Sequence, residues 1–186
     1  MNYIYEHSNH TINYDLLYKL RLKNIFQALM LDTITLNIGL KNSNMEKKKM
    51  IAILLLLRLI TNQQILTTKS KKNNIIFKIK KGDIMGCKVT LRKKNIFIFL
   101  EKLIIFILPN IKDFEGIFIN EKNLNVLNFK INNILSFFEL EKEFLKFQDL
   151  PSIDINIKTN SLSFNNIFIL LNLFNLSLKK EIIFKS

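Results

Sequence analysis

Two hydrophobic periods alternate along the chain. From Tyr14 to Leu29 apolar residues fall at Leu16, Leu17, Leu20, Phe26 and Leu29, an imperfect helical spacing. Thr33 to Ile38 reads Thr-Ile-Thr-Leu-Asn-Ile, a strand with one polar face that Gly39 ends. Ser43 or Asn44 can cap a helix that runs through Leu59 and is apolar over most of its second half. Ile75–Lys81 and Gly86–Arg92 look like two strands around a Gly82-to-Gly86 turn, each with basic residues on one face. Ile96–Leu108 is a strong helix closed by Pro109. Ile153–Thr159 alternates as a strand, and Ser163 caps a last apolar helix to about Phe174. Strands and helices interleave with hairpin signals. The expected class is therefore α+β, a largely antiparallel sheet with helices packed on one face. One domain over 1–186 is expected, with 1–12 a loose N-terminal extension and 178–186 a C-terminal tail. No internal repeat and no Pro- or Gly-rich linker interrupts it.

Composition narrows the function. The chain has 186 residues, 48% of them hydrophobic, enough for a packed core, and carries a formal net charge of +13. Such a charge calls for a polyanionic partner: RNA, DNA or an anionic membrane surface. Ile, Asn, Lys and Phe abound, whereas Gly numbers 4, Pro 2 and Trp 0. These residues have AT-rich codons, as in an organelle genome, so part of the lysine excess is mutational drift. Drift scatters lysine along a chain, and position therefore says more than the total. Between Ile65 and Lys94 there are ten basic residues against the single acid Asp83, while Phe137–Ser186 holds six of each sign. The charge is a patch on the middle of the chain.

Other classes lose ground residue by residue. The single cysteine, Cys87, excludes an internal disulfide and a thiolate metal cluster, and after Gly86 in a strand it reads as a buried inert thiol. Gly82-Asp-Ile-Met-Gly86-Cys87-Lys88 has the wrong glycine spacing for a phosphate loop. His7 and His10 lack a third ligand in a polar stretch, and Asp113, Glu115 and Glu121 read as solvated loop carboxylates. No catalytic constellation, cofactor site or metal site emerges, so the chain is not expected to be an enzyme. No apolar run reaches the roughly 18 residues of a spanning helix. The N-terminus lacks secretory or transit character, from which synthesis inside an organelle is expected. A basic peripheral membrane protein, with Ile96–Leu108 lying in the interface, is the rival class, but that helix is apolar nearly all round and suits burial better. The basic residues sit beside Asn37, Gln63, Thr67, Thr68, Asn73 and Thr90. Phosphates take cations, while ribose and base edges take amides and hydroxyls, and the combination points to RNA.

Thr35-Leu-Asn-Ile-Gly39, Asn62-Gln63, Thr68-Lys69, Phe77-Lys78-Ile79-Lys80 and Gly86-Cys87-Lys88-Val89-Thr90-Leu91-Arg92 closely resemble the universal large-subunit ribosomal protein five family. So do Phe99-Leu-Glu-Lys-Leu103, Pro109, Ile111-Lys-Asp-Phe-Glu-Gly116 and Asp154-Ile-Asn-Ile with Ser163. The resemblance spans Leu20 to Leu178. It implies a structural constituent of the large ribosomal subunit that holds 5S ribosomal RNA, or its structural equivalent, in the central protuberance. Asn37, Gln63 and Thr90 match family positions that contact 5S RNA, and Thr68, within the resembling Thr68-Lys69, is expected to bind RNA with them. Lys69, Lys71, Lys72, Lys88 and Arg92 fall on the basic RNA-facing side. The segment Asn73 to Asp83, with Asn74, Phe77, Lys78, Lys80 and Lys81, matches a loop facing peptidyl-site transfer RNA. The resemblance also implies neighbouring proteins of the central protuberance and of the small-subunit head. With the AT-type composition and the N-terminus, the expected place is an organellar ribosome, in the mitochondrial matrix before a plastid, with no membrane partner. The chain departs from the family pattern in places. Gly-Gln-Lys-Pro becomes Asn62-Gln63-Gln64-Ile65, a small Ala-Gly pair becomes Ile75-Ile76, and a Gly-rich loop after Gly116 becomes Asn120-Glu-Lys-Asn-Leu-Asn.

Overall fold

The computed structural model describes residues 11–40, 47–77, 79–112, 114–119, 125–143, 147, 150–161 and 163–180. The helices are α1 (Asn13–Leu20), α2 (Lys47–Thr61), α3 (Lys94–Lys102) and α4 (Phe164–Leu173). The strands are β1 (Leu31–Gly39), β2 (Leu66–Lys69), β3 (Ile84–Leu91), β4 (Ile117–Ile119), β5 (Val126–Ile131), β6 (Ile153–Thr159) and β7 (Leu178–Lys180). A five-stranded, mostly antiparallel sheet runs in the order β2-β3-β1-β6-β5, and β4 pairs with β7 in parallel. The class is α+β, as the alternation of periods predicts. The chain clusters into two compact units, one from Met1–Ile34, Leu91–Phe129 and Asn156–Ser186, the other from Thr35–Thr90 and Lys130–Ile155.

In the first unit α1 and α4 close a core of Ile12, Leu16, Leu29, Leu170 and Phe174. The Phe97 ring, from α3, meets that of Phe174 at 6.1 Å between centroids. α1 stops at Leu20, well before the predicted Leu29. Arg21 takes a left-handed conformation (φ 50°), Arg21 N–H donates to the Tyr18 carbonyl, and Leu22 N–H donates to that of Leu17. This double closure satisfies the last carbonyls and turns the chain out of the helix. A short 3-10 turn, Ile25–Gln27, follows in place of a continued helix. α3 runs on through a π-helical segment, Leu103–Ile107, and Pro109 ends it as predicted. Ser163 occupies the N-cap of α4, but its hydroxyl makes no capping bond. Leu178–Lys180, expected to begin a tail, is instead strand β7, and the Glu115 carboxylate meets Lys179 Nζ at 3.2 Å.

In the second unit α2 buries Met50, Ile53, Leu56, Leu57 and Ile60, and Met50 Sδ lies 3.6 Å from Cys87 Sγ on the core side of β3. The predicted caps of α2, Ser43 and Asn44, lie outside the described residues, as do His7, His10, Asp113, Glu121 and most of the Asn120 loop. The predicted hairpin is corrected. Among its described residues Ile75–Lys81 forms no strand; β3 pairs instead with β2, Leu66 opposite Lys88 and Thr68 opposite Gly86. The register slips between Thr68 and Lys69, which leaves Met85 without a β2 partner. Chain reversal occupies residues 70–83, so Gly86 stands inside a strand and not in a turn. The alternation at Phe77-Lys78-Ile79-Lys80 misleads: Ile79 pairs only with Asn74, inside the loop.

Candidate nucleic-acid interface

Strand periodicity sorts the proposed contact residues by face. In β1, Ile34, Leu36 and Ile38 are fully buried, so Thr35 and Asn37 stand on the more open face. In β3, Cys87, Val89 and Leu91 are buried, and Lys88 and Thr90 point the other way. Thr68 lies opposite Gly86, two residues before Lys88 on the same strand face. Among the described residues the side chains of Asn37 and Thr90 have no hydrogen-bond partner. A half-buried amide and hydroxyl left open on a strand face suit an external polar ligand.

Gly86 makes the arrangement possible. A Cβ there would collide with the Ile38 carbonyl oxygen, so β3 reaches β1 at this spacing only with glycine. Leu40 N–H then donates to the Met85 carbonyl at 2.7 Å. Thr35 is a residue that sequence reasoning passed over; the Thr-Ile-Thr-Leu-Asn-Ile alternation that exposes Asn37 places it on the same face.

Gln63 is positioned differently from Asn37 and Thr90. α2 ends where Asn62 turns left-handed (φ 50°) and its N–H donates to the Arg58 carbonyl. This position explains a departure from the family pattern: asparagine is the residue that best replaces glycine at a left-handed helix end. The turn aims the Gln63 side chain back at β3, and Nε2 donates to the Thr90 carbonyl at 3.1 Å. That bond braces the backbone beneath the Thr90 hydroxyl. Gln63 Oε1 is buried without a partner among the described residues.

The cations of the same stretch of chain are open to solvent. Lys69, Lys71, Lys72, Lys80, Lys81, Lys88 and Arg92 are all exposed, and among the described residues none forms an ion pair. Lys130, Lys158 and Lys179, outside that segment, pair with Asp154, Asp32 and Glu115 at 3.2–3.4 Å. Arg92 lies one residue past β3, and Lys78 lies outside the described residues.

The connection between β2 and β3 is closed by its own bonds. Ser70 and Asp83 join its base at 2.8 Å, and Asn74 and Ile79 exchange backbone bonds at 2.9 Å nearer the tip. Asn74 Oδ1 accepts from Ile76 and Phe77 N–H, Asn73 Oδ1 from Lys81 N–H, and Asp83 Oδ2 from Lys80 N–H. Asn73 and Asn74, predicted to face a ligand, thus spend their carbonyl oxygens holding the loop. The tip they hold presents Ile75 (91% exposed), Ile76 (86%) and Phe77 (54%).

Cys87 is buried, and loss of solvation pushes its thiol pKa up to about 11. A thiol so protonated is no nucleophile, in keeping with the inert reading. No group of three or more metal-ligating side chains occurs among the described residues, and no helix among them is long and apolar enough to cross a membrane.

The model of the C-terminus of the ribosomal L5 family matches residues 84–184, from the start of β3 onward. The chain is 36% identical over 182 residues to the large ribosomal subunit protein uL5m of Reclinomonas americana, which covers 97% of this chain and 100% of that protein. It is 33% identical over 172 residues to the large ribosomal subunit protein uL5 of Buchnera aphidicola, covering 92% and 96% of the two chains. For the uL5 of Ehrlichia canis the identity is 36% over 154 residues, covering 82% and 86%. Relatives matched along nearly their full length, together with a sheet that needs Gly86 where the Gly-Cys-Lys-Val-Thr-Leu-Arg run supplies it, establish that this chain belongs to the ribosomal L5 family.

Proposed function

We propose that this structural, non-enzymatic ribosomal protein binds ribosomal RNA of the large subunit through the open face of β1 and β3. Asn37 and Thr90 bond ribose or base edges there, Thr68 stands beside them, and Gln63 braces Thr90. Lys69, Lys71, Lys72, Lys88 and Arg92 neutralise the flanking phosphates. The RNA is 5S ribosomal RNA or its structural equivalent in the central protuberance. The loop with Asn73, Asn74, Phe77, Lys78, Lys80 and Lys81 faces peptidyl-site transfer RNA, and the protein partners are neighbours in the central protuberance and the small-subunit head. The compartment is an organelle, the mitochondrial matrix before the plastid, a reading that the uL5m of Reclinomonas americana and the AT-type composition support.

The observation that carries the RNA reading is the open pair Asn37 and Thr90, unpartnered among the described residues, beside unpaired cations. Rigid placement of such groups makes a contact selective and not merely adhesive. The test is gradient fractionation of tagged protein followed by sequencing of the RNA that copurifies. The protein should sediment with large subunits and bring down large-subunit RNA. Recovery wholly in the soluble top fractions would refute the proposal, and recovery with vesicles would favour the membrane rival.

A further inference from the structure

We propose that the β2–β3 loop carries an apolar tip that packs against the face of an unstacked base in RNA, while lysines on its stem hold the adjoining phosphates. The proposal rests on the RNA-facing reading of the loop and adds how contact is made. Ile75, Ile76 and Phe77 are exposed together, although the chain has a core able to bury such residues. Their exposure is not that of a loose loop. The Asn74–Ile79 bridge and the Asn74 carboxamide hold the tip backbone, so its ordering entropy is spent before any ligand arrives.

The surroundings choose the occupant. Lys71, Lys72, Lys80 and Lys81 are exposed on the stem and form no ion pair among the described residues. The nearby acid, Asp83, accepts from Lys80 N–H and is thereby engaged. Apolar groups ringed by cations complement a ligand that is anionic along its backbone and flat and apolar beside it. An unstacked nucleotide has that character, and stacking is tolerant of base identity because every base has a π face. A paired duplex presents phosphates to the lysines but no free base face to the tip. Phe77 supplies the ring, and Ile75 and Ile76 widen the apolar contact beyond what the small Ala-Gly pair of the family pattern offers.

The full-length chain is titrated with two RNAs carrying equal numbers of phosphates: a stem-loop with 2-aminopurine in its unpaired loop, and a fully paired duplex. Wild-type protein should bind the stem-loop more tightly and change its 2-aminopurine fluorescence. The triple variant Ile75→Ser, Ile76→Ser, Phe77→Ser should lose about tenfold in affinity for the stem-loop, the scale of one lost base stack. It should keep its affinity for the duplex and its salt slope. Phe77→Trp, which retains a flat ring, should retain stem-loop binding and the fluorescence change, and all these residues are exposed, so folding is expected to survive. An equal loss on both RNAs, or no loss on either, would overturn the apolar-tip inference and leave the RNA-facing reading standing. Binding of wild-type protein to neither RNA would overturn that reading and the inference with it. A tip-dependent gain on phosphatidylglycerol vesicles without tip-dependent RNA binding would overturn it in favour of a membrane surface.

Discussion

Asn37 and Thr90 show what one residue contributes on a half-buried strand face. Neither carries charge, and among the described residues neither side chain has a partner. Asn37→Ala and Thr90→Ala should each cost roughly 1–3 kcal/mol of RNA binding and leave the slope of log affinity against log salt unchanged. Filter binding over a salt series measures both quantities, and a change confined to the slope would contradict the assignment. Cys87 makes a different kind of prediction. The folded chain keeps the thiol proton up to about 11, whereas an unburied thiol loses it near 9.0. Between those values the folded state binds more protons than the unfolded state, so this group's stability contribution falls as pH rises through the window. Urea titrations of wild type and Cys87→Ala across pH 9–11 should converge in stability toward the alkaline end. Iodoacetamide should label Cys87 only after unfolding.

At the scale of elements, the decisive feature is the approach of β3 to β1. Gly86→Ala would place a methyl group against the Ile38 carbonyl, which is backbone and cannot swing aside. The strands must part or the hydrogen bond from Leu40 N–H to the Met85 carbonyl must stretch. A loss of about 2 kcal/mol or more is expected, comparable with overpacking elsewhere. Chemical denaturation checks it, and an unchanged midpoint would show that the sheet yields at this point. RNA affinity should fall with stability in this variant, because Lys88 and Thr90 ride on the strand that Gly86 admits. The end of α2 illustrates the same dependence of site on element: the left-handed Asn62 decides where Gln63 points, and Gln63 then holds the carbonyl of Thr90.

For the whole molecule the question is whether net charge reflects function or codon drift. Lys69, Lys71, Lys72 and Lys88 are free of ion pairs among the described residues, whereas Lys158 and Lys179 have carboxylate partners. Each phosphate neutralised releases about 0.9 counterion for duplex nucleic acid, so each Lys→Gln in the first group should flatten the salt slope by roughly one unit. Lys158→Gln and Lys179→Gln serve as controls and should leave it unchanged. Equal effects in the two groups would reduce the patch to compositional bias, and family membership would have to stand without it.

Local pattern alone determined the elements that bury one face: the alternation of β1 and β6, the apolar helices α2, α3 and α4, and the α+β class. Period and burial are the same information there, since water sorts side chains by face wherever a core exists. The Gly86-to-Arg92 run likewise marked the polar positions Lys88 and Thr90, because strand alternation assigns faces without further input, while the family rested on resemblance and not on period. Tertiary structure decided what depends on partners distant in sequence. Leu66–Lys69 became a strand because β3 lay beside it, although only Thr68 of its four side chains is drawn from solvent and no apolar alternation marks it. The described residues of Ile75–Lys81, with a better local pattern, lie in a loop that Asn74 and Ile79 bond across. The stop at Arg21 required a non-glycine residue in a left-handed conformation, which no propensity favours and which packing of α1 against α4 offsets. Likewise Leu178–Lys180 reads as a tail until Ile117–Ile119 supplies the backbone groups that its own require.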